Sequence, residues 1–244
     1  MRTLIISDIH ANLSALDAVL EDAAPFDQVW CLGDLVGYGP DPNQCIERIR
    51  GLPGLECVKG NHDAAILGEI DTWAFRHEAR ESLEWLESQL DPENKTWLAG
   101  LEDRLDLEKV TLVHGSPRNP IWEYVMDVSV AYENMASFET DFCLVGHTHI
   151  PCIYMMSEGT APTPTLYFFQ PDEPFVFYTK SILNPGSVGQ PRDHNPMASY
   201  LLVDDEQEVP WLYRRVAYDI EGVQKRILAA GLPLRNAARL AEGW

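Results

Sequence analysis

The most constraining feature of this sequence is a series of short apolar runs, each followed within two residues by Asp, Asn or His. The runs are rich in β-branched residues and alternate with helical patterns up to about residue 150, which is typical of βαβ units on a largely parallel sheet. Strands are predicted over 4–7, 28–32, 55–59, 109–113 and 142–145, and helices near 43–50, 73–90 and 129–138. Asn12 is the expected N-cap of the helix that follows the first strand, because apolar residues recur at helical spacing from residue 13 to residue 20.

After His149 the pattern changes to closely spaced strands joined by turns that are rich in Pro and Gly. Strands are predicted over 153–156, 166–169, 175–178, 181–183, 199–203 and 209–215, and this half is expected to be mostly antiparallel. Two further helices are predicted over 220–230 and 234–241. No repeat, low-complexity tract or linker marks a boundary, so residues 1–244 are predicted to form one domain.

Five of the seven histidines lie in short polar motifs that directly follow predicted strands. The motifs are Asp8-Ile9-His10, Gly33-Asp34, Gly60-Asn61-His62-Asp63, His114-Gly115 and Gly146-His147-Thr148-His149. In α/β sheets, ligands bind beyond the carboxyl ends of the strands, so these motifs are expected to meet at one edge. A single Asp or His at a strand end is usually a cap or a surface group, but five such motifs in order favour a shared site.

The residue types in these motifs favour one kind of chemistry. Imidazole, carboxylate and amide oxygen together suit divalent transition metals such as Mn, Fe or Zn. There are seven candidate ligands: Asp8, His10, Asp34, Asn61, His114, His147 and His149. This number fits two ions that share one carboxylate, an arrangement that can activate a water and stabilise an oxyanion. The D-x-H and H-x-H pairs are expected to be extended, so that residues i and i+2 project to the same face.

The charge balance bears on the partners that the protein binds. The chain has 18 Lys and Arg against 38 Asp and Glu, a formal net charge of −20, and a pI of about 4.6. This disfavours binding to long nucleic acid or to a membrane surface. The apolar content of 45% and the aromatic content of 10% are too high for a disordered acidic chain.

The cysteines and the N-terminal residues predict a cytoplasmic protein. The five cysteines include no C-x-x-C pair, and most lie within apolar segments, so we expect reduced core residues and no disulfide framework. The apolar run near the N-terminus is too short for the core of a signal peptide, and no run approaches the length of a membrane span.

The motifs D-x-H, G-D, G-N-H-D, H and G-H-x-H, in this order, resemble those of the calcineurin-like metallophosphoesterase superfamily. The segment 184–193, N-P-G-S-V-G-Q-P-R-D, is similar to the bacterial and archaeal small-phosphoesterase branch, and the resemblance extends from Asp8 to about Val203. It implies an α/β fold of four layers, a two-sheet β-sandwich of mixed strands flanked by helices, with a dinuclear metal centre. The ligand sets that the resemblance implies are Asp8, His10 and His149 for the first ion, Asn61, His114 and His147 for the second, and Asp34 as the bridge.

The resemblance also implies a catalytic role for His62. Some relatives carry cysteine at this position and favour diesters, whereas a histidine resembles a general acid that protonates or stabilises the leaving oxygen, with Asp63 holding the ring. An imidazole suits this role because its unperturbed pKa of ~6.5 allows both protonation states near neutrality. The alternative is a helix N-terminus at 61–63 with an incidental histidine. Arg192 is expected either to contact a substrate phosphate or to bind a neighbouring group, and Tyr38 either to line the pocket or to pack.

The resemblance therefore implies an enzyme, a metal-dependent hydrolase that cleaves a small phosphomonoester, phosphodiester or nucleotide. The expected cofactors are two divalent ions, with manganese preferred and Fe, Zn, Ni or Mg as alternatives. One alternative function is a non-catalytic interaction scaffold, the role of the retromer subunit that resembles this fold. Another is a nuclease of the same superfamily. The filled ligand positions disfavour the scaffold, and the net charge of −20 disfavours the nuclease. The physiological substrate, the preference between monoesters and diesters, and the oligomeric state stay open.

Overall fold

The protein is described here from a computed structural model that covers residues 1–244. In chain order the strands are β1 (Arg2–Ile6), β2 (Gln28–Cys31), β3 (Leu55–Cys57), β4 (Arg104–Asp106), β5 (Val110–Val113), β6 (Phe142–Leu144), β7 (Cys152–Met156), β8 (Pro164–Tyr167), β9 (Pro174–Phe175), β10 (Ser181–Asn184), β11 (Ala198–Asp204) and β12 (Trp211–Val216). The helices are α1 (Leu13–Ala23), α2 (Pro42–Arg50), α3 (Asn61–Ile66), α4 (His77–Gln89), α5 (Pro92–Ala99), α6 (Val128–Asn134), α7 (Ile220–Ala229) and α8 (Leu234–Glu242), with a 3₁₀ turn at Thr72–Ala74.

The strands form two six-stranded mixed sheets, in the orders β3-β2-β1-β11-β12-β9 and β4-β5-β6-β10-β7-β8. Strands β1, β2 and β3 are parallel to one another, as are β5, β6 and β10. The N-terminal strands are therefore divided between two sheets, whereas the apolar pattern predicted a single, largely parallel sheet. The division arises because β11 pairs antiparallel with β1, with Leu202 opposite Leu4, and β10 lies beside β6.

The alternation of side chains along β1 defines the layers of the core. Ile5 belongs to the apolar cluster between the sheets, together with Leu144 of β6. Leu4 and Ile6 point the other way, into the cluster formed with α1, α2 and α4. On the outer face of the second sheet, residues of β5 and β6 pack against α6. The order helix, sheet, sheet, helix confirms the predicted four-layer α/β fold.

Several local predictions are confirmed, and others differ for identifiable reasons. Asn12 caps α1 by accepting a hydrogen bond from the Ala15 amide. Helix α5 was not predicted; it begins at Pro92, because a first helical position needs no N–H. The helix predicted over 73–90 is interrupted, since Phe75 is extended between the 3₁₀ turn and α4.

The remaining sequence features concern cysteines and membrane spans. All five cysteines are buried and free. None of the helices is both long enough and apolar enough to span a bilayer.

Candidate metal centre

The polar motifs converge where the predicted strands end. Strands β1, β2, β3, β5 and β6 lead directly into the segments that carry the seven candidate ligands. All seven side chains are buried, with at most 3% of each residue exposed. The structure therefore brings together every residue that the sequence singled out as a metal ligand.

The backbone at these motifs is left-handed, and the expectation of extended pairs is wrong. Asp8 and His10 have φ of 54° and 47°, and His147 and His149 have φ of 64° and 61°. Non-glycine residues adopt this conformation rarely, and it concentrates at functional sites. The chain bends sharply beyond each strand, and the bend places His147 and His149 in different groups of ligands.

The first group consists of Asp8, His10, Asp34 and His149. His149 Nε2 lies 3.1 Å from Asp8 Oδ1 and 3.2 Å from His10 Nε2. His10 Nε2 lies 3.6 Å from Asp34 Oδ2. Two carboxylates and two imidazoles thus face a common point.

The second group shares Asp34 and adds His114 and His147. His114 Nε2 lies 3.4 Å from Asp34 Oδ2 and 3.1 Å from His147 Nδ1. The amide oxygen of Asn61 lies 3.0 Å from the same His114 nitrogen. Asp34 is the one residue common to both groups.

The second nitrogens of three imidazoles determine which ring atoms remain free as ligands. Nδ1 of each ring faces a backbone carbonyl oxygen. The distance is 3.0 Å from His10 to Val36, 2.8 Å from His114 to Leu32, and 2.6 Å from His149 to Gln190. A carbonyl oxygen only accepts, so Nδ1 carries the hydrogen and Nε2 of the neutral ring offers a lone pair. Metal-binding histidines are commonly held in this way.

As a consequence, lone pairs face one another in a buried site. The Nε2 atoms of His10 and His149 are 3.2 Å apart with no hydrogen to share when both rings are neutral. Asp8 Oδ1, 3.1 Å from the same His149 nitrogen, is buried without a hydrogen-bond partner. Buried acceptors that converge without donors are unfavourable unless a cation lies among them. The residues therefore fit divalent metal ions.

The electrostatics of the site agree with this interpretation. Burial alone would raise the pKa of Asp34, but the charges of His114 and His62 outweigh it and hold that pKa well below its usual range. Burial lowers the pKa of His10 and of His147 well below that of free imidazole. His114 differs: burial opposes its charge, but Asp34 outweighs burial and raises its pKa to about 9. A cation among these groups would compete with that proton.

His62 lies beside the metal groups without belonging to either. Its ring is buried against Tyr38, His10 and Phe75, with centroids 4.7–5.0 Å away. Its Nδ1 has no hydrogen-bond partner. Gly37 leaves room for the ring, since its φ is +98° and a Cβ there would lie 2.4 Å from His62 Nδ1. Burial, with the charge of Arg192 adding to it, lowers the pKa of His62 to about 4, so the free site holds a neutral imidazole.

Asp63 does not hold the His62 ring, contrary to the implication of the family resemblance. Its carboxylate accepts hydrogen bonds from the backbone N–H groups of Leu35, Val36 and Gly60, at 3.0–3.2 Å. These amides lie beside Asp34 and before α3, so Asp63 ties the loop of Asp34 to the start of α3. Burial and the charge of Asp34 raise the pKa of Asp63 to about 7, against the effect of these donors.

A pocket of about 660 Å³ opens above the site. Its lining includes Tyr38 and Arg192, and Arg192 also donates to Gln190 Oε1 at 2.9 Å. The pocket also contains residues that sequence reasoning missed: the aromatic residues Phe75, Trp122, Tyr124 and Trp244, and the arginines Arg76, Arg235 and Arg239. Arg235 and Arg239 are four positions apart on a predicted helix, so their shared face could have been recognised, but its direction could not.

The loop that carries Trp122 and Tyr124 is held by Glu123. Its carboxylate accepts hydrogen bonds from Ser116 and Asn134, at 2.7 and 2.9 Å, and is paired with Arg118. The hydrogen bond from Arg118 is the main cause that lowers the pKa of Glu123 to about 2. Tyr124 consequently stacks on His147, with centroids 3.7 Å apart.

The chain is similar over its length to known proteins of one family. Residues 1–208 match the model of the calcineurin-like phosphoesterase superfamily domain. The crystal structure of a metallophosphoesterase from Sphaerobacter thermophilus superposes with a TM-score of 0.88, at 40% identity over the full length of both chains. An uncharacterised protein of Methanocaldococcus jannaschii is 36% identical over 98% of this chain and 97% of its own. Phosphodiesterase YfcE of Escherichia coli is 26% identical over 84% of this chain and 89% of its own.

Proposed function

From the premise that this chain belongs to the calcineurin-like phosphoesterase superfamily and is a hydrolase, we propose that it cleaves small phosphoesters at a dinuclear metal centre. The finer parts of the proposal are the number of ions, their ligands and the class of substrate. Because both sheets combine strands from the two halves of the chain, we also propose that residues 1–244 act as one domain.

In this proposal each group of ligands holds one divalent ion. Asp8, His10 and His149 would hold the first, Asn61, His114 and His147 the second, and Asp34 both. Manganese is the preferred ion, since mixed imidazole and oxygen ligands suit it, and Fe, Zn, Ni or Mg are alternatives. When bound, such ions polarise phosphoryl oxygens and activate water for attack on phosphorus.

The single observation that carries the proposal is the convergence of lone pairs at 3.1–3.2 Å between His10, His149 and Asp8, in a buried site without donors. A structural role for these residues would pair each acceptor with a donor. Here the donors serve the opposite side of each ring, where Nδ1 binds a carbonyl. The arrangement therefore supports ion binding and not merely packing.

Two residues outside the ligand groups, His62 and Arg192, would act on the substrate. His62 lines the pocket beside Asp34 and would donate an N–H to a phosphoryl or leaving oxygen. Arg192 lies in the same pocket and donates one N–H to Gln190 Oε1, so its remaining terminal N–H groups would contact a phosphate. Asp63 positions the backbone and touches neither group.

The two alternative functions are weaker. A non-catalytic scaffold would not require seven buried ligands together with a free imidazole. A nuclease would need a basic surface for long nucleic acid, whereas the net charge is −20.

Removal of divalent ions is expected to destabilise the protein, because the buried acceptors would lose their cation. Protein loaded with manganese at about 100 times Kd should unfold roughly 5–10 °C higher than protein in EDTA. Differential scanning calorimetry of both preparations measures this difference. His77→Ala, a change at an exposed histidine outside the pocket, should keep the full shift. Equal melting temperatures in manganese and EDTA would contradict ion binding at this site.

The acidic surface repels a long polyanion more strongly than it repels a small phosphoester. Repulsion between an acidic surface and a polyanion acts across the Debye length of ~8 Å at physiological salt, whereas a compact phosphate is held directly by the site. We expect manganese-dependent turnover of a nucleotide or another small phosphoester, at a kcat/KM well above that for oligonucleotides. We also expect little retention on heparin.

A panel of phosphoesters, assayed with each divalent metal in turn, tests this prediction and the proposed function together. Efficient cleavage of long DNA or RNA, abolished by His62→Ala to exclude contamination, would favour the nuclease instead. No turnover of any phosphoester with any of the metals would overturn the proposed function.

A further inference from the structure

Arginines are concentrated in the pocket of this acidic protein. Only 13 of the 244 residues are arginine, yet four of them line the one pocket that opens above the metal groups. They are Arg76, Arg192, Arg235 and Arg239. They come from three separate parts of the chain, so their meeting is a property of the fold.

Most of these arginines lack the partner that arginines elsewhere in the chain have. Eight of the 13 arginines have a carboxylate within 4.0 Å. Of the five without an Asp or Glu side chain within this distance, three line the pocket: Arg76, Arg192 and Arg239. Arg235 is the exception, with Glu78 at 3.0 Å. In a chain with 38 Asp and Glu side chains, the lack of such a partner for three arginines of this pocket leaves positive charge available for a ligand.

Tyr38 connects the arginines with the metal groups. Its ring centroid lies 4.7 Å from that of His62 and 4.9 Å from that of His10. The guanidinium carbons of Arg192 and Arg239 lie 5.9 and 5.6 Å from the same ring. Arg239 makes no hydrogen bond or ion pair with any of the seven candidate ligands; its Nε donates to the backbone oxygen of Trp244. It is therefore one aromatic ring away from the site of hydrolysis and not within it.

The positive charges of this cluster are unfavourable without an anion. Burial, together with the nearby charge of Arg192, lowers the pKa of Arg239 to about 10. The guanidinium of Arg235 lies 4.9 Å from the ring of Trp244, which Arg239 also approaches at 6.0 Å. Planar guanidinium groups crowded in this way bind phosphate oxygens well, often through two parallel hydrogen bonds.

We propose that Arg239, Arg235 and Arg76 form a second anion subsite, which binds a phosphate of the substrate other than the one that is hydrolysed. The proposal rests on the proposed function, since it takes the metal groups and Arg192 as the site of the scissile phosphate. The substrate is then an organic polyphosphate ester and not a simple monoester. The aromatic side chains between the two subsites, Tyr38 above all, determine the spacing between the two phosphates.

A binding experiment tests the subsite separately from catalysis. The probes are bis(phosphonomethyl)phosphinate, a tripolyphosphate analogue with carbon in place of the bridging oxygens, and methylphosphonate, which has one phosphorus. Neither is hydrolysed, so calorimetric titration of the manganese-loaded full chain, with free manganese in excess, measures binding alone.

Arg239→Gln is expected to weaken binding of the triphosphorus probe by roughly 10- to 100-fold, the loss of one charged hydrogen-bonded contact. Binding of methylphosphonate should change by less than about threefold, because that probe needs only the first subsite. Arg239→Lys, which keeps the charge but not the fork, should fall between the wild type and Arg239→Gln. Circular dichroism confirms that each variant is folded.

Arg80→Gln is the matched control. Arg80 also lies over an aromatic ring, Trp73 at 4.4 Å, and has no carboxylate partner, but it is outside the pocket. Its replacement should leave the binding of both probes unchanged. An equal loss of both probes in Arg239→Gln, or no loss of either, would overturn the second subsite. Selective loss of the triphosphorus probe in a protein that hydrolyses no phosphoester would support the subsite and refute only the proposed function.

Discussion

Replacement of Asp34 by asparagine is expected to remove both bound ions and to lower hydrolysis by at least ~10³-fold. For comparison, removal of a single oxyanion-hole donor from an enzyme costs at most about that factor. Asp34 is the residue common to both groups of ligands, and it is 1% exposed. Its Oδ2 lies 3.6 Å from His10 Nε2 and 3.4 Å from His114 Nε2. The substitution keeps the shape of the side chain and an oxygen that can still accept the hydrogen bond from the His62 backbone N–H, but it removes the negative charge.

His149→Ala is the matched comparison, because His149 belongs to only one group. It should weaken mainly the binding of the ion held by Asp8 and His10, whereas Asp34→Asn should empty both sites. Elemental analysis of desalted, manganese-reconstituted protein gives the stoichiometry of each variant. About two ions per chain in Asp34→Asn would contradict the bridging role, and about two in both variants would contradict the ligand assignment altogether.

The site was largely predictable from sequence because its residues follow strands. An apolar run that is followed by Asp8, or by His114, places that residue beyond the carboxyl end of a strand, whatever the order of the strands in the sheet. Convergence within each sheet then follows from the parallel direction of β1, β2 and β3, and of β5 and β6. The two sets meet because the sheets stack face to face, with Ile5 of β1 and Leu144 of β6 in the apolar cluster between them.

The backbone conformation at the site could not be predicted in the same way. A pattern such as H-x-H reads as extended, yet His147 and His149 are left-handed. The strain is compensated by tertiary contacts from distant segments, such as the hydrogen bond from the His147 amide to Asp8 and that between His149 and the Gln190 carbonyl. Local propensity contains no information about such partners.

The arginines of the pocket were missed for a related reason. The amphipathic pattern of residues 234–241 predicts α8, but an exposed arginine on a helix normally faces solvent. The direction of Arg235 and Arg239 depends on how α8 packs on α7, through Leu240 and Val223. Pairing between β1 and β11 is non-local in the same sense, since it joins segments about 200 residues apart.

His62→Ala is expected to retain both metal ions and to lower kcat by ~10²–10⁴-fold, the usual loss for a general acid. His62 lies outside both groups of ligands, so its removal leaves the ions their full set of donors. Its ring faces the pocket, and its Nδ1 has no hydrogen-bond partner. The measurement is kcat together with the metal content of the same preparation, with His77→Ala as the control at an exposed histidine. Loss of metal in His62→Ala would show that the ring supports the ligands instead.

Leaving-group dependence separates the two ways in which His62 could act. With a pKa of about 4, the imidazole is neutral at pH 7 in the free site, so a role as acid requires that the charge of the bound phosphate raise that pKa. If His62 then protonates the leaving oxygen, the loss in His62→Ala should be large for alkyl esters and small for nitrophenyl esters, whose leaving groups need little protonation. If the neutral ring only donates an N–H to the phosphoryl group, both esters should lose the same factor, because that hydrogen bond does not depend on the leaving group. An equal loss would therefore remove the acid role and leave the electrostatic one.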